Sequence, residues 1–366
     1  MANALKAVAP QDIQSALDQI WESLETTNVA RACLFNLIFY TKKDQRIPYV
    51  QRLAQKVIEK FPSRVIFVTA DKMSPSNTLK TEVSILTSSK GEFDVACDYI
   101  QIDATGSSLE QIPFVVLPHL LPDLPVYLLL AEDPTQEDPV CTALQKFAHR
   151  LIFDSETTDS LVSFATTLLY QHQKLKIDIA DLNWARLESF REMLSMAFYS
   201  DENLTQIRRC KTIQISYNAQ KTPFFCHTKI QALYLQAWLS SQLEWTFCSS
   251  RENNGSLVLL YKGAAGPVEV TLIPIESTEL PPGLVLSVEI TTQDDEHFFF
   301  KRDTKLIHQI TFQHSTKERC DLPCHYVFSK VESGHSLIKE ICHRGTSSHF
   351  LSVLRLFQTW GETPLC

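Results

Sequence analysis

From Ile112 to Ala131 the chain reads IPFVVLPHLLPDLPVYLLLA, almost wholly apolar yet broken by Pro113, Pro118, Pro122 and Pro125. A run of that length approaches a membrane span. Interior prolines remove backbone donors, however, and with His119 and Asp123 they would leave polar groups unsatisfied in lipid. The segment therefore belongs in a protein core. Pro113 fits near a helix start, Pro118 fits a kink, and LPDLP makes a tight connection that delivers the chain into a buried strand, VYLLLAE.

The flanking sequence fixes what that strand joins. PQDIQSALDQIWESLE places Ile13, Ala16, Leu17, Ile20 and Leu24 at helical spacing, and ARACLFNLIFYT follows as an apolar run of strand length. The change of period repeats in YVQRLAQKVIEKFPSRVIFVTA. Val50, Leu53, Ala54, Val57 and Ile58 share a helical face, Pro62 stops the helix, and Val65 to Val68 is strand. Helices alternating with buried strands predict a parallel or mixed sheet. TEVSILTSS and DVACDYIQIDA, joined across Gly91, predict an antiparallel hairpin at the sheet edge, and VCTALQKFAHRLIFDSE adds a helix and a strand.

Beyond residue 175 the character changes. DLNWARLESFREMLSMAFYS is an amphipathic helical stretch with Leu187, Phe190, Met193, Leu194 and Ala197 on one side. Eight strand-like runs follow, from KTIQISYNA to HYVFSKVES, with YKGAAGPVEV as a hairpin. HTKIQALYLQAWLSSQL and HFLSVLRLFQTW read as amphipathic helices beside the sheet. The expected fold is an α/β domain with a mostly parallel or mixed sheet over residues 1–175. A central helical segment over 176–205 leads to an α+β domain with a largely antiparallel sheet over 206–366.

Composition narrows the function classes. With 34 basic and 42 acidic residues the formal charge is −8, which leaves no general field for a nucleic acid backbone or an anionic membrane. The amino terminus has no basic start followed by a long apolar stretch, so a cytoplasmic protein is expected. Ten cysteines scattered as single residues, many in apolar runs, imply reduced and mostly buried thiols. The phosphate-loop, G-x-G-x-x-G, G-x-S-x-G and H-E-x-x-H patterns are all missing, and nine glycines in 366 residues leave few places for backbone to approach a phosphate. No catalytic group and no cofactor is assigned.

The remaining candidates each have two readings. Cys320, Cys324, His325 and Cys342 have zinc-ligand chemistry without paired close spacing, so packing is the alternative. His119 suits a buried acid-base group or a core histidine. Arg64 suits an anion site or a partner for helix-end carbonyls, and Asp123 an interface carboxylate or the residue capping its turn. Trp184, Arg186 and Arg191 are residue types that dominate binding interfaces, and equally suit docking within the chain. HFFFKR is an exposed patch or a strand of alternating burial.

The order of ARACLFNLIFY, FPSRVIFV, EQIPFVVLPHLLPDLPVYLLLAE, AHRLIFDSE and DLNWARLESFREML resembles the bacterial glucose-6-phosphate dehydrogenase assembly proteins, the OpcA family. The most distinctive elements are the LLPDLPV segment and the helix carrying Asp181, Leu182, Trp184, Arg186, Leu187, Arg191 and Glu192. The specific motifs lie between about residues 11 and 220, and the Cys-rich, His-rich tail departs from the pattern. The resemblance implies a non-catalytic partner that binds glucose-6-phosphate dehydrogenase and favours its active oligomer; on that reading the residue types of the central helix make Trp184, Arg186 and Arg191, together with Asp123 of the exposed turn, the expected contact residues. Two other classes stay open: an α/β enzyme or binding protein for a sugar phosphate, and a redox-responsive adaptor.

Overall fold

The structure is a computed structural model that describes residues 5–24, 29–89, 94–225, 227–328 and 335–360. It divides into two compact units, each drawing on several stretches of chain. The first comprises Met1–Asp154, Tyr170–Leu182 and Ser333–Gly345, and the second comprises Ser155–Leu169, Asn183–Glu332 and Thr346–Cys366.

The first unit is built on strands β1 (Lys6–Val8), β2 (Val29–Arg31), β3 (Asn36–Lys42), β4 (Arg64–Asp71), β5 (Leu79–Ser89), β6 (Asp94–Thr105), β7 (Val126–Leu130), β8 (Arg150–Phe153) and β9 (Asp178–Asp181). They form one sheet ordered β1-β5-β6-β4-β3-β7-β8-β9, with β2 also paired to β6. From β6 to β9 every neighbouring pair is parallel, while β5 is antiparallel to both β1 and β6. The sheet is thus mixed and mostly parallel. The expected hairpin is β5–β6, and the short β1 lies outside it; the turn at Gly91 lies outside the described residues. Leu37 to Tyr40 and Val65 to Val68 have no exposure at all, as strands covered on both faces require.

Helix α1 (Ile13–Leu24) buries Ile13, Ala16 and Leu17, and α2 (Ile47–Ile58) buries Val50, Leu53, Ala54, Val57 and Ile58, the face its spacing predicts. The proline-rich run folds as three short segments: a 3-10 turn at Gly106–Gln111, α3 (Ile112–Val116), and a second 3-10 turn at Leu117–His119. Pro113 and Pro118 each stand at the start of a segment, where a missing amide costs least. Pro122 and Asp123 then turn the chain, with Asp123 at φ +62°, in the left-handed region. Asn36, at the first position of β3 and fully buried, holds that turn from within. Its Nδ2 donates to the Leu121 and Leu124 carbonyls at 3.0 and 3.4 Å, and its Oδ1 accepts from Leu121 N at 2.8 Å.

After α4 (Pro139–Gln145), α5 (Leu161–Leu175) begins in the second unit and ends in the first. In the second unit the expected single helix is broken. α6 (Leu182–Arg186) and α7 (Glu188–Ala197) meet at Leu187, whose amide reaches Trp184 O at 3.3 Å, a tighter turn than an α-helix makes. Leu187, Phe190, Met193, Leu194 and Ala197 are nonetheless the buried side. α8 (Asp201–Arg208) leads into β10 (Cys210–Asn218), and α9 (Ile230–Gln242) into β11 (Thr246–Asn253), β12 (Ser256–Gly263), β13 (Gly266–Ile275), β14 (Val285–Thr292), β15 (His297–Arg302), β16 (Gln309–Ser315) and β17 (Cys324–Val327). All eight expected strands form one sheet, ordered β11-β12-β13-β10-β14-β15-β16-β17, antiparallel except where β10 meets β13. β15 alternates Phe298 and Phe300 inward, so the HFFFKR run is a strand and not a patch.

α9 departs from the amphipathic expectation because every residue from Ile230 to Ser240 is buried. Its polar members are satisfied inside: Tyr261 OH donates to Gln236 Oε1 at 2.7 Å, and Ser240 Oγ donates to Ala237 O at 3.1 Å. Against it packs the last helix of the unit, which buries Phe350, Val353, Leu354 and Phe357, with Tyr234 and Phe357 ring centroids 5.2 Å apart. Numbered in chain order, α10 (His335–Cys342) precedes that helix, α11 (Ser348–Thr359). α10 returns to the first unit, where buried Arg150 of β8 donates to Glu340 at 2.8 Å and to the His343 carbonyl at 2.6 Å.

Candidate functional site

Taken in chain order, the six parallel strands β3, β4, β6, β7, β8 and β9 lie as 3-2-1-4-5-6, the Rossmann order. In such sheets ligands bind outside the carboxyl ends of the strands, where β3 and β7 diverge, and a glycine-rich turn after the first strand presents amides to a pyrophosphate. Here that turn is TKKDQRIP, Thr41 to Pro48, with no glycine.

Four of its amides are already committed. Lys42 N donates to the Glu132 carboxylate, Lys43 N to Ala70 O at 3.0 Å, Asp44 N to Lys42 O at 3.0 Å and Arg46 N to Asp44 Oδ1 at 2.7 Å. Pro48 has no amide to give. Carboxylates from the strand and helix ends then fill the crevice with ion pairs: Lys42 Nζ to Glu132 Oε2 at 2.5 Å, Arg46 Nη2 to Asp154 Oδ2 at 2.6 Å, and Lys72 Nζ to Asp138 Oδ2 at 2.9 Å. Asp138 also accepts from Tyr40 OH at 2.8 Å and caps α4 through Val140 N at 2.9 Å. Burial pushes the Asp138 carboxyl up, but the hydrogen bonds from Lys72 and Tyr40 outweigh it and hold the group below the usual range. Burial pushes Glu132 up, with Lys42 opposing.

The fold implies a dinucleotide at this place, and these residues do not fit one. A pyrophosphate would meet Glu132 and Asp154 already paired with Lys42 and Arg46, and no free run of amides, so its desolvation would be uncompensated.

The opposite, amino end of the sheet explains Arg64 and His119. Arg64, 2% exposed, places Nε and Nη2 on Asp98 Oδ2 at 3.0 and 2.5 Å, and Nη1 on the carbonyl of His119 at 2.9 Å. The anion-site reading therefore gives way to a buried ion pair that also takes the end carbonyl of a helical turn. Asp98 accepts in addition from Trp21 Nε1 at 2.7 Å and Arg31 Nη2 at 3.0 Å. Burial lowers the His119 imidazole pKa.

The residues singled out for partner contact have different settings. Trp184 is 4% exposed, with Phe350 at 5.6 Å between centroids and the Arg191 guanidinium 3.5 Å above its ring. Arg191 Nη1 donates to Trp184 O at 2.5 Å. Arg186 donates to Asn183 Oδ1 at 2.6 Å and stacks on Phe225. Arg186 and Arg191 are half-buried, and Asp123 is exposed. The zinc alternative of Cys320, Cys324, His325 and Cys342 finds no support here: among the described residues no three His, Cys, Asp or Glu side chains could hold a metal ion. His325 Nδ1 lies 3.0 Å from Thr311 Oγ1 instead. The expectation of mostly buried thiols also fails towards the carboxyl terminus, because Cys248, Cys320, Cys324 and Cys342 are exposed on edge strands, a loop and a helix.

Sequence reasoning missed the crevice because its signal is a missing glycine motif whose place becomes visible only with the strand order. Among the described residues no helix is long and apolar enough to cross a membrane.

Comparison with known proteins agrees with this architecture. The fold is similar to that of a 3-ketoreductase mutant from Actinomadura kijaniata solved with TDP-benzene and NADP, at a TM-score of 0.50 and 10% identity over 89% of this chain and 96% of that one. At that identity the likeness shows the fold alone. Among curated relatives, a putative OxPP cycle protein OpcA of Synechocystis is 30% identical over 42% of this chain and 30% of its own length, and one of Synechococcus elongatus is 25% identical over 67% and 55%. The chain thus spans from about a third to about half of the curated relatives it matches. Residues 54–168 match the family described as glucose-6-phosphate dehydrogenase subunit N-terminal domain, and residues 177–324 its C-terminal domain. With both domains matched in order, the chain belongs to the OpcA family.

Proposed function

We propose that this chain is a non-catalytic partner of glucose-6-phosphate dehydrogenase, supporting the oxidative pentose phosphate pathway in the cytoplasm by favouring the active oligomer of that enzyme. The observation that carries the non-catalytic part is the closed βα turn, where Glu132 takes the Lys42 amide and Lys42, Arg46 and Lys72 neutralise the surrounding carboxylates. Family membership supports the choice of partner.

An assembly factor needs only a preference between two states of its target. Tighter binding to the active form by about 2 kcal/mol shifts the equilibrium roughly thirtyfold, within ordinary coupling energies. On this reading Arg186 and Arg191 are the contact residues, with Trp184 as the internal prop under Arg191, and the exposed Asp123 of the other unit is a separate contact candidate. The experiment is a titration of the cognate dehydrogenase with this chain at fixed salt, reading activity and oligomeric state. A saturable rise with a joint complex is expected, and no complex with no change overturns the reading. Arg186→Glu and Asp123→Lys test the surface: unchanged affinity in folded variants would move the contact elsewhere.

A further inference from the structure

Beside the closed turn, the carboxyl ends of β4 and β6 form a cleft of about 220 Å³ that the reading above does not use. Strand register sets its floor. Thr69 of β4 lies beside Asp103 of β6, which lies beside Lys80 of β5, and one step further along Asp71 lies beside Thr105. Lys43 from the turn and Ile47 and Gln51 from α2 make the wall. On the same face of β4, Val65 and Phe67 are fully buried, so the strand switches from a packed core to hydroxyl and carboxylate groups where the cleft opens.

The chemistry of that lining selects a ligand class. Two ammonium groups, Lys43 and Lys80, face two carboxylates, Asp71 and Asp103, so the formal charge cancels and no positive field favours a phosphate. Donors and acceptors are interleaved: Lys43 Nζ is 3.7 Å from Asp71 Oδ2, and Gln101 Nε2 donates to Asp103 Oδ2 at 2.9 Å. Ile47 adds an apolar side. A sugar ring is the complement of this pattern, with adjacent hydroxyls that each donate and accept and with C–H faces that pack on an aliphatic side chain. Size agrees, because drug-sized ligands fill roughly 300–1,000 Å³ and the cleft is smaller than that range. Its place in the fold agrees too. Asp71 ends the second strand of the Rossmann order, close to where dinucleotide folds set the acid that takes ribose hydroxyls. With the pyrophosphate turn closed, room for one ring remains.

We propose that this cleft binds the vicinal diol of a single uncharged sugar ring, supplied as a free monosaccharide or as the ribose of a nucleoside. Asp71 and Asp103 accept from adjacent hydroxyls, Lys80 donates to them, and Ile47 packs on the ring face.

Saturation-transfer NMR and calorimetry on the full chain, with D-ribose, D-glucose and adenosine as probes and D-ribose 5-phosphate as the charged control, test this. Transfer to ring protons of at least one neutral probe is expected, with affinity falling tenfold or more in both Lys80→Ala and Asp103→Asn. Lys80 is exposed, so its variant keeps the fold even where the other does not. Binding of adenosine without the free sugars identifies the nucleoside as the source, and binding of the sugars identifies a monosaccharide. No transfer to any neutral probe, equal affinity in Lys80→Ala, or a tenfold preference for the phosphate overturns the proposal. The chain is measured alone, so failure here leaves the dehydrogenase titration untouched.

Discussion

At the amino end of the parallel sheet the Arg64–Asp98 pair is sealed, its side chains 3% and 4% exposed. At the carboxyl end Lys42 and Lys72 reach solvent, 44% and 35% exposed, over carboxylates that do not. Both ends carry charge on one sheet and both tie elements together: Asp98 joins α1, β2 and β4, with Arg64 reaching on to the His119 carbonyl, while Asp138 joins Tyr40 of β3, Lys72 and the start of α4. At the second, the charges stand where ligands of this fold sit. The contrast separates a network sealed from solvent from one whose cations are partly solvated, at the end of the sheet where this fold binds ligands.

The sharpest way to break the comparison is Asp98→Asn. It leaves Arg64 charged, buried and without its anion, which costs about 3–5 kcal/mol when one partner of a buried pair is removed. Urea unfolding followed by far-UV circular dichroism reads it as a lower midpoint at unchanged slope. The pH dependence carries a sign. Burial pushes the Asp98 carboxyl up, but Arg64, Trp21 and Arg31 outweigh it and hold the group below its unfolded value, so the folded chain binds fewer protons than the unfolded one. That stability is present above the unfolded value, about 3.9, and is lost as pH falls through the lower folded value. Asp98→Asn is expected to flatten this acid limb; an unchanged limb would assign it to other carboxylates.

Next in size is Asn36→Ala. The fully buried amide serves three backbone groups of the 121–124 turn, and its loss leaves them unpaired for about 2–3 kcal/mol. Asn218 plays the same part in the second unit, its Nδ2 reaching the Ser277 and Leu280 carbonyls at 2.9 and 2.8 Å. A midpoint for Asn36→Ala within error of wild type would mean that the prolines hold the turn unaided.

At the carboxyl end the effect shrinks. Glu132→Gln keeps an acceptor for the Lys42 amide and removes an ion pair whose cation is largely solvated, so at neutral pH the change is expected within about 1 kcal/mol of zero. Its pH dependence runs opposite to that of Asp98. Burial raises the Glu132 carboxyl, so its contribution is present at acid pH and lost as pH rises through the raised folded value. A loss at pH 7 as large as that of Asp98→Asn would erase the distinction between the two ends.

Sequence periodicity was enough for the longer strands, the α2 and α7 faces and the hairpins, because each is set by contacts that recur every two or three to four residues, but not for the short β1 and β9, the latter falling in the stretch expected to be helical. What it could not give was pairing at a distance. Nothing in FPSRVIF announces that Arg64 meets Asp98, and nothing in NLIFY that Asn36 turns back to Leu121, since both partners are fixed by strand order. α9 was misread for a related reason: Gln231, Gln236 and Ser240 look like a solvent face until Tyr261 and the helix's own carbonyls satisfy two of them inside. Trp184 and Arg191 share a helical stretch at seven-residue spacing, yet the spacing alone does not say that the guanidinium lies on the ring.

The smallest expected effect lies at the turn that Asn36 holds. Asp123 sits at φ +62°, a conformation that costs most side chains about 1–2 kcal/mol and glycine nothing. Asp123→Gly relieves that strain but adds freedom to the unfolded chain worth about 0.5–1 kcal/mol, so the two nearly cancel. A β-branched residue gains no such compensation, and Asp123→Val is expected to lose about 1–2 kcal/mol. Denaturant midpoints check both values. Because Asp123→Gly removes the exposed carboxylate while the turn stays intact, it also isolates the surface role proposed for it. Weaker association with the dehydrogenase at unchanged midpoint would give Asp123 to the contact, and full association would leave it a turn residue alone.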